Sequence, residues 1–207
     1  MIFALLPVKA PKNAKQRLHG FLTPEQREAL ARAMYEEVLA ILVSVKGIDR
    51  VVVITSDEVA AGWARSAGVE VFEETEQHSH SVSADTAARK AMQLGATTVI
   101  MLPIDVPLVT KEEIESLIAA VAPGVIVVPS ADGTGTNALV RTPPDVIQSC
   151  FGPDSFRKHF EQAHAAGTPV KAMHPRGLLF DIDTPEDIAE LLERAPASRI
   201  AGLLKAL

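Results

Sequence analysis

The sequence has few of the residues that stabilise secreted proteins or bind nucleic acid. A single cysteine, Cys150, excludes an intramolecular disulfide and a multi-cysteine zinc site, and it fits a reducing compartment. Aromatic residues make up only 4% of the chain and are not interleaved with basic residues, as they are in proteins that bind single strands. The formal net charge of -6 repels nucleic acid and anionic membranes, so an anionic ligand requires a locally basic site.

The sequence also has no hydrophobic run long enough to cross a bilayer. Its opening run, Met1 to Val8, is too short for a span and lacks the basic flank and the cleavage site of a secretion signal. The 207 residues, of which 47% are hydrophobic, suit one domain spanning residues 1–207. We therefore expect a cytoplasmic protein with no membrane or nucleic-acid partner. Its oligomeric state stays open, and a homodimer is compatible with the sequence.

Short apolar runs alternate with amphipathic stretches along the chain. The runs are rich in β-branched residues, as expected of strands buried on both faces, and they lie at 2–8, 51–55, 69–72, 98–102 and 125–128. Capping residues precede the amphipathic stretches, with Thr23 and Thr110 as expected N-caps and another helix expected from about Ser83. This alternation predicts an α/β fold with an open, doubly wound, mostly parallel sheet, in which ligands bind beyond the carboxyl ends of the strands.

The alternation stops after Val128, where we expect a small insertion of mixed topology. A glycine-rich loop, 132–137, comes first. The pattern then predicts a strand near 138–141, a helix near 155–166, and strands at 170–173 and 178–182. A capped helix from Thr184 and a terminal amphipathic helix from Ser198 to Leu207 follow.

The segment after the first predicted strand is locally basic. No acidic residue precedes Pro24, and the basic residues of the segment are Lys9, Lys12, Lys15 and Arg17. At the carboxyl end of a parallel strand these cations lie where phosphates bind in such folds, and they could neutralise a polyphosphate. A solvated basic loop explains the charges alone equally well. The segment lacks the glycines of a Walker loop or a Rossmann fingerprint, which disfavours those modes of nucleotide binding.

Three aspartates lie at the ends of predicted strands. Asp105 follows the strand that ends at Leu102, and Asp181 and Asp183 lie two residues apart. Because alternate residues of a strand face the same side, this pair can present two carboxylates together as Mg²⁺ ligands, and Asp105 could join them. A turn or a helix cap explains each motif taken separately somewhat better. Together with a basic segment, however, carboxylates at one sheet edge are what phosphoryl or nucleotidyl transfer requires.

Two further loops offer hydrogen-bond donors to an anionic ligand. The glycines of 132–137 allow close approach of the backbone, although a hairpin turn explains that loop as well. The residues 152–155 precede a predicted helix whose first amides could bind a carboxylate or phosphate, or serve as an ordinary cap. The candidate contacts are Thr136, Asn137, Gly152 and Ser155. The six histidines show no metal-ligand spacing and are interpreted as surface or packing residues: His19, His78, His80, His159, His164 and His174.

Five motifs together resemble one known family. In chain order, PVKAPKNAKQRL, LPIDVPLV, PSADGTGTNAL, FGPDSFRKH and FDIDTPEDI are similar to the guanylyltransferases of deazaflavin coenzyme (factor-420) biosynthesis. That family belongs to the GT-A-like, or nucleotide-diphospho-sugar transferase-like, nucleotidyltransferases. Its members join GMP from GTP to a small phosphorylated acid, namely 2-phospho-L-lactate, phosphoenolpyruvate or 3-phospho-D-glycerate, and release pyrophosphate.

The resemblance implies metal, nucleotide and acceptor sites in this chain. It assigns two Mg²⁺ ions to Asp105, Asp181 and Asp183, the phosphates to Lys9, and the phosphoacid to Thr136, Gly152 and Ser155. Lys15 and Arg17 would assist at the β- and γ-phosphates of GTP. Val82 and Ser83 stand where the family has a Leu-Asn pair, in a segment that adjoins the nucleotide in related enzymes.

The chemistry expected of such an enzyme needs no general base. The phosphate oxygen of the acceptor is already an anion at neutral pH and attacks the α-phosphorus of GTP directly. Asp105, through bound metal, and Lys9 would lower the barrier by positioning the anions and stabilising the departing pyrophosphate. Two alternatives stay open: another GT-A-like enzyme, with a molybdopterin or sugar-phosphate acceptor or a glycosyl donor, and a phosphometabolite-binding module without turnover. Guanine preference rests on the resemblance alone.

Overall fold

A computed structural model of the chain describes residues 1–11, 14–75 and 79–206. Among the predictions above, those for Lys12, His78 and Leu207 lie outside the described residues. None of the helices within these ranges is both long enough and apolar enough to cross a membrane.

Strands and helices alternate through the first 129 residues, as the sequence predicts. The strands are β1 (Ile2–Pro7), β2 (Arg50–Thr55), β3 (Glu70–Glu73), β4 (Thr98–Met101), β5 (Gly124–Pro129), β6 (Thr136–Thr142) and β7 (Val170–Ala172). The α-helices are α1 (Pro24–Ser44), α2 (Glu58–Ser66), α3 (His80–Gln93), α4 (Lys111–Ala119), α5 (Ser155–Ala165), α6 (Pro185–Arg194) and α7 (Arg199–Ala206).

The strands form one sheet in the order β3-β2-β1-β4-β6-β5-β7. β1 is parallel to β2 and β4, and β2 is parallel to β3. β6 is antiparallel to both β4 and β5, so β5 runs in the same direction as β1. β7 is parallel to β5. The predicted open, mostly parallel sheet is confirmed, and its mixed part consists of β6, inserted between β4 and β5, and β7 at the edge.

The two faces of the sheet are covered by different helices. Alternate residues of β1 point to opposite faces: Ala4 and Leu6 belong to one apolar cluster, and Phe3 and Leu5 to the other. The first cluster includes residues of α1, α2 and α4, and the second includes residues of α3 and α5. Burial on both faces explains why the strands appear in the sequence as continuous apolar runs.

A third apolar cluster brings the C-terminal segment next to the basic segment. Leu18, which follows the basic residues, is fully buried together with Phe180 and Ile182, and α1, α6 and α7 contribute the other members. The residues flanking Leu18 and Ile182 are therefore held close to each other, although more than 160 positions separate Lys15 from Asp183.

Two sequence predictions about local structure are wrong. α3 begins at His80 rather than near Ser83, because the hydroxyl of Ser79 accepts a hydrogen bond from the N–H of Val82 and caps the helix. Residues 178–182 do not form a strand: Leu178 and Leu179 end a turn, in which the N–H of Leu179 donates to the carbonyl oxygen of Pro175 (3.1 Å), and 180–182 pair with no strand. Their apolar pattern reflects burial alone, and the N–H of Ile182 donates to the carbonyl oxygen of Asp105 (3.0 Å). By contrast, Thr23 and Thr110 both form the predicted capping boxes.

Candidate active site

From Ala14 onwards, the basic segment lies at the carboxyl edge of the sheet, between α1 and the residues that follow β4. Lys15 has a left-handed backbone conformation, with φ of 51°, and a short turn of 3-10 helix, Gln16–Leu18, follows it. Arg27 of α1 donates from Nη1 to the carbonyl oxygen of Ala14 (3.0 Å). The helix and the buried Leu18 together fix the backbone from which Lys15 extends.

The side chain of Lys15 joins two of the three predicted metal ligands. Its Nζ lies 2.8 Å from Oδ2 of Asp105 and 3.0 Å from Oδ1 of Asp183. Arg17 also contacts Asp183, with Nη1 3.2 Å from Oδ2. Burial alone would lower the pKa of Lys15, but the two carboxylates outweigh burial and raise that pKa above its usual value. Lys15 is therefore a charged ammonium held between carboxylates from distant parts of the chain.

Asp181 lies beside this pair but is held by a different partner. Asn137, at the start of β6, donates from its side-chain amide to Oδ1 of Asp181 (3.0 Å) and to the carbonyl oxygen of Leu178 (2.9 Å). Burial raises the pKa of Asp181, and the negative charges of Asp105 and Asp183 raise it further, against the opposing effect of Asn137. The three aspartates thus form one electrostatic group, although strand alternation does not create it, because residues 178–182 are not a strand.

The donor set of this group fits a hard divalent cation. Within the described ranges, no three His, Cys, Asp or Glu side chains stand close enough to hold a metal ion as arranged here. The ammonium of Lys15 occupies the cation position between Asp105 and Asp183. Carboxylate oxygens are the ligands that Mg²⁺ prefers, and the carboxylates of Asp105 and Asp183 flank the one position that the Lys15 ammonium holds. The residues present therefore fit Mg²⁺ chemically.

Lys9 and Ser83 line a narrow cleft at the same edge of the sheet. His80 lines it too. Burial lowers the pKa of His80, and the positive charge of Lys9 lowers it further, whereas the negative charge of Asp105 raises it. Lys9 and Asp105 therefore both lie close enough to His80 for their charges to act on its ring. Glu74 was not among the residues predicted from the sequence, but it also lines the cleft, and its Oε1 is buried without a hydrogen-bond partner among the described residues. Its position directly after β3 was the available signal.

The glycine-rich loop forms a hairpin turn between β5 and β6 over residues 130–135, one of the two interpretations the sequence allowed, and its last two residues, 136 and 137, begin β6. Asp132 organises it by accepting hydrogen bonds from the hydroxyl of Ser130 and from the N–H and hydroxyl of Thr134. These bonds lower the pKa of Asp132 to about 2, and the bond from Ser130 has the largest effect. Because β6 is antiparallel to β4, the start of β6 at Thr136 lies at the same edge as the end of β4.

The start of α5 is attached to this hairpin. The N–H of Phe156 donates to the carbonyl oxygen of Thr134 (3.1 Å), which places Ser155 near the start of β6. Gly152 and Asp154 both have positive φ, 116° and 57°. The side chain of Asp154 makes no capping hydrogen bond, so the ordinary aspartate cap, one of the two interpretations the sequence allowed, is absent, and Ser155 is buried.

Two side chains that hold the loop before α5 were not predicted to do so from the sequence, in which Asp85 had no assigned role and His159 was interpreted as a surface or packing residue. Asp85 of α3 accepts hydrogen bonds from Arg141 and from the backbone and hydroxyl of Ser149. His159 of α5 is fully buried, and its two ring nitrogens contact Thr136 and the N–H of Cys150. The signal for His159 was its spacing: it follows Ser155 by four residues and therefore lies on the same face of the helix.

The fold and the site together define the class of protein. Cations facing carboxylates at the carboxyl edge of a doubly wound sheet are the arrangement expected of a nucleotidyltransferase. The fold is similar to that of a solved protein from Desulfovibrio desulfuricans G20 named as a candidate nucleotide-diphospho-sugar transferase. The TM-score is 0.81 at 17% identity, over 99% of this chain and 94% of the other.

The family follows from comparison of the sequences. The protein-family model described as "Guanylyl transferase CofC like" matches residues 2–207, and the chain belongs to that family of nucleotidyltransferases. It is 34% identical to a phosphoenolpyruvate guanylyltransferase of Sphaerobacter thermophilus, over 93% of each chain. It is 31% identical to a 2-phospho-L-lactate guanylyltransferase of Methanothermobacter thermautotrophicus, over 99% of this chain and 90% of the relative. The resemblance stated from the five motifs is confirmed.

Proposed function

We propose that this protein transfers GMP from GTP to a small phosphorylated acid and releases pyrophosphate, as a Mg²⁺-dependent step in deazaflavin coenzyme biosynthesis. The observation that carries the proposal is the contact of Lys15 with both Asp105 and Asp183, beside the hairpin that presents Thr136. Relatives named for phosphoenolpyruvate and for 2-phospho-L-lactate support an acceptor with one phosphate and one carboxylate. 3-Phospho-D-glycerate has the same two groups and completes the set of candidate acceptors.

Asp105, Asp181 and Asp183 are the residues that would hold Mg²⁺, with two ions expected. When bound, the ions supply positive charge to the triphosphate and to the departing pyrophosphate. Lys15 now neutralises the carboxylates that the metal would neutralise, so we propose that it turns to the β- and γ-phosphates when Mg²⁺ and GTP bind. Arg17 is exposed next to Asp183 and can assist at the same phosphates.

The transfer requires one bond to form and one to break. An acceptor phosphate oxygen bonds to the α-phosphorus of GTP while the bond from that phosphorus to the bridging oxygen of pyrophosphate breaks. No proton has to leave the nucleophile, so the residues act by holding anions in line against their mutual repulsion. Lys9 would hold the nucleotide phosphates, with Ser83 beside the nucleoside. Thr136, Asn137, Gly152 and Ser155 are proposed to hold the acceptor.

The test is loss of turnover when a carboxylate becomes an amide. Asp105→Asn should lower kcat/KM for pyrophosphate release by about 10²-fold or more, because the charge that holds the metal is removed. Asp145→Asn makes the same change at an exposed position and is the matched control, with turnover expected unchanged. Near-wild-type turnover in a folded Asp105→Asn protein would contradict the metal role.

The substrate is decided by a matrix of acceptors and nucleotides. The three phosphoacids are each combined with GTP, ATP and CTP, and products are identified by mass spectrometry. A GMP adduct of one acid, formed with stoichiometric pyrophosphate, is the expected result. Transfer to a sugar phosphate or a pterin instead would identify another GT-A-like transferase, and tight GTP binding without any pyrophosphate release would identify a binding module.

A further inference from the structure

His159 is completely buried and makes a hydrogen bond through each of its ring nitrogens. Nε2 lies 2.9 Å from the backbone nitrogen of Cys150, and Nδ1 lies 3.1 Å from the hydroxyl oxygen of Thr136. The ring therefore connects the loop before α5 with the first residue of β6. These are the two segments proposed above to bind the phosphorylated acid.

The contact with Cys150 determines where the proton of His159 lies. A backbone N–H can only donate, so Nε2 must be the unprotonated, accepting nitrogen. A neutral imidazole carries its one proton on the other nitrogen, so Nδ1 is protonated and donates to Thr136. Burial, followed by the charge of Arg141, lowers the pKa of His159 to about 4, so the ring is neutral near pH 7.

The direction of this hydrogen bond decides what Thr136 can do. A hydroxyl has one proton and can accept through its oxygen while donating that proton elsewhere. Because the hydroxyl accepts from His159, its proton stays available for another partner. Phosphate and carboxylate oxygens of an ionised acid accept hydrogen bonds only. With the opposite tautomer, Thr136 would spend its proton on the ring and present only lone pairs to the anion.

We propose that His159 is a positioning residue that fixes the Thr136 hydroxyl as a hydrogen-bond donor to the phosphorylated acid. The inference rests on the proposed function, and it adds a residue that never touches the substrate. The backbone bond to Cys150 serves the same purpose, because it fixes the tautomer and orients the ring. His159 also packs edge-on against Phe151, with ring centroids 5.2 Å apart, which places the ring relative to the adjoining Gly152.

The first test is spectroscopic and does not depend on turnover. Nitrogen-15 NMR of the full-length wild-type protein should show a neutral His159 ring protonated on Nδ1 and unprotonated on Nε2, from about pH 5.5 to 8. A ring protonated on Nε2, or one that titrates near the usual histidine pKa, would overturn the proposal. This result stands even if no phosphoacid proves to be a substrate.

The second test separates acceptor binding from nucleotide binding. In His159→Phe, kcat/KM for the phosphoacid should fall by about 10- to 100-fold, as expected for a lost hydrogen bond to a charged group, with KM for GTP nearly unchanged. His159→Asn places an amide N–H near the position of Nδ1 and should recover part of the loss. His164→Phe, an exposed position on the same helix, is the matched control and should behave as wild type.

A double-mutant comparison tests whether His159 acts through Thr136. Thr136→Val removes the hydroxyl, and adding His159→Phe to it should cause little further loss, because the link is already broken. Equal losses for GTP and the phosphoacid, or fully additive effects, would indicate a structural role only and overturn the inference. If wild-type protein transfers GMP to no phosphoacid, the proposed function fails, and NMR still decides the tautomer.

Discussion

Replacing Asp85 by asparagine should destabilise the protein by about 3 kcal/mol, because the change leaves a buried guanidinium without its counter-charge. The side chain of Arg141 is 1% exposed, and its Nη1 lies 2.7 Å from Oδ1 of Asp85. Its other polar contact within the described ranges is the carbonyl oxygen of Ile147 (2.8 Å), while Nε and Nη2 have no partner there. Burial lowers the pKa of Arg141 against the opposing effect of Asp85, as expected for a charge removed from water.

The magnitude follows from what asparagine keeps and what it loses. Removing one member of a buried ion pair costs about 3 to 5 kcal/mol. Asparagine has the same shape as aspartate and keeps one accepting oxygen for Arg141, so the lower end of that range applies. The amide leaves no cavity, and the loss therefore reports the charge rather than packing. Ser149, which also donates to Asp85, would be held less firmly at the loop before α5.

Urea unfolding followed by far-UV circular dichroism measures the effect. A loss of about 3 kcal/mol lowers the midpoint by roughly 1 to 1.5 M at the m-values usual for proteins of this size. Asp145→Asn removes the same charge from an exposed position near Arg141, and it should cost less than about 0.5 kcal/mol. Equal midpoints for the two variants would refute the reasoning. Adding Arg141→Met to Asp85→Asn should restore part of the stability, because no unpaired charge then stays buried.

Three further changes in stability follow from single residues. Burial lowers the pKa of His159 from an ordinary 6.5 to about 4 in the folded protein. The neutral ring therefore contributes fully to the free energy of unfolding above pH 6.5, and this contribution is lost as the pH falls towards 4. The loss amounts to about 3 kcal/mol, and urea midpoints should fall with pH in wild type and His164→Phe but less in His159→Phe. Gly177→Ala should cost more than about 2 kcal/mol, since its Cβ would lie 2.1 Å from the carbonyl oxygen of Leu108. Gly62→Ala, within α2 and free of contacts within 4 Å, should instead stabilise by about 0.5 to 1 kcal/mol, and thermal unfolding of both variants checks the two signs.

The fold class and the helix caps could be predicted from the sequence because they depend on local patterns. Continuous apolar runs indicate strands buried on both faces, and the capping boxes of Thr23 and Thr110 are complete within four residues. The limits of local patterns show at 178–182, where an apolar run is buried without pairing in the sheet. They show again at α3, which Ser79 caps four residues before the predicted start at Ser83.

The sequence by itself determined which residue types are available: a basic segment, three aspartates and two loops with donors, in an order that indicates a nucleotidyltransferase. Only the tertiary structure decided which of them meet. Lys15, rather than Lys9, contacts Asp105 and Asp183, and Asn137 holds Asp181. The physical reason is sequence separation. These contacts join residues 44 to 168 positions apart, and strand order and shared apolar clusters, which no local periodicity encodes, set their distances.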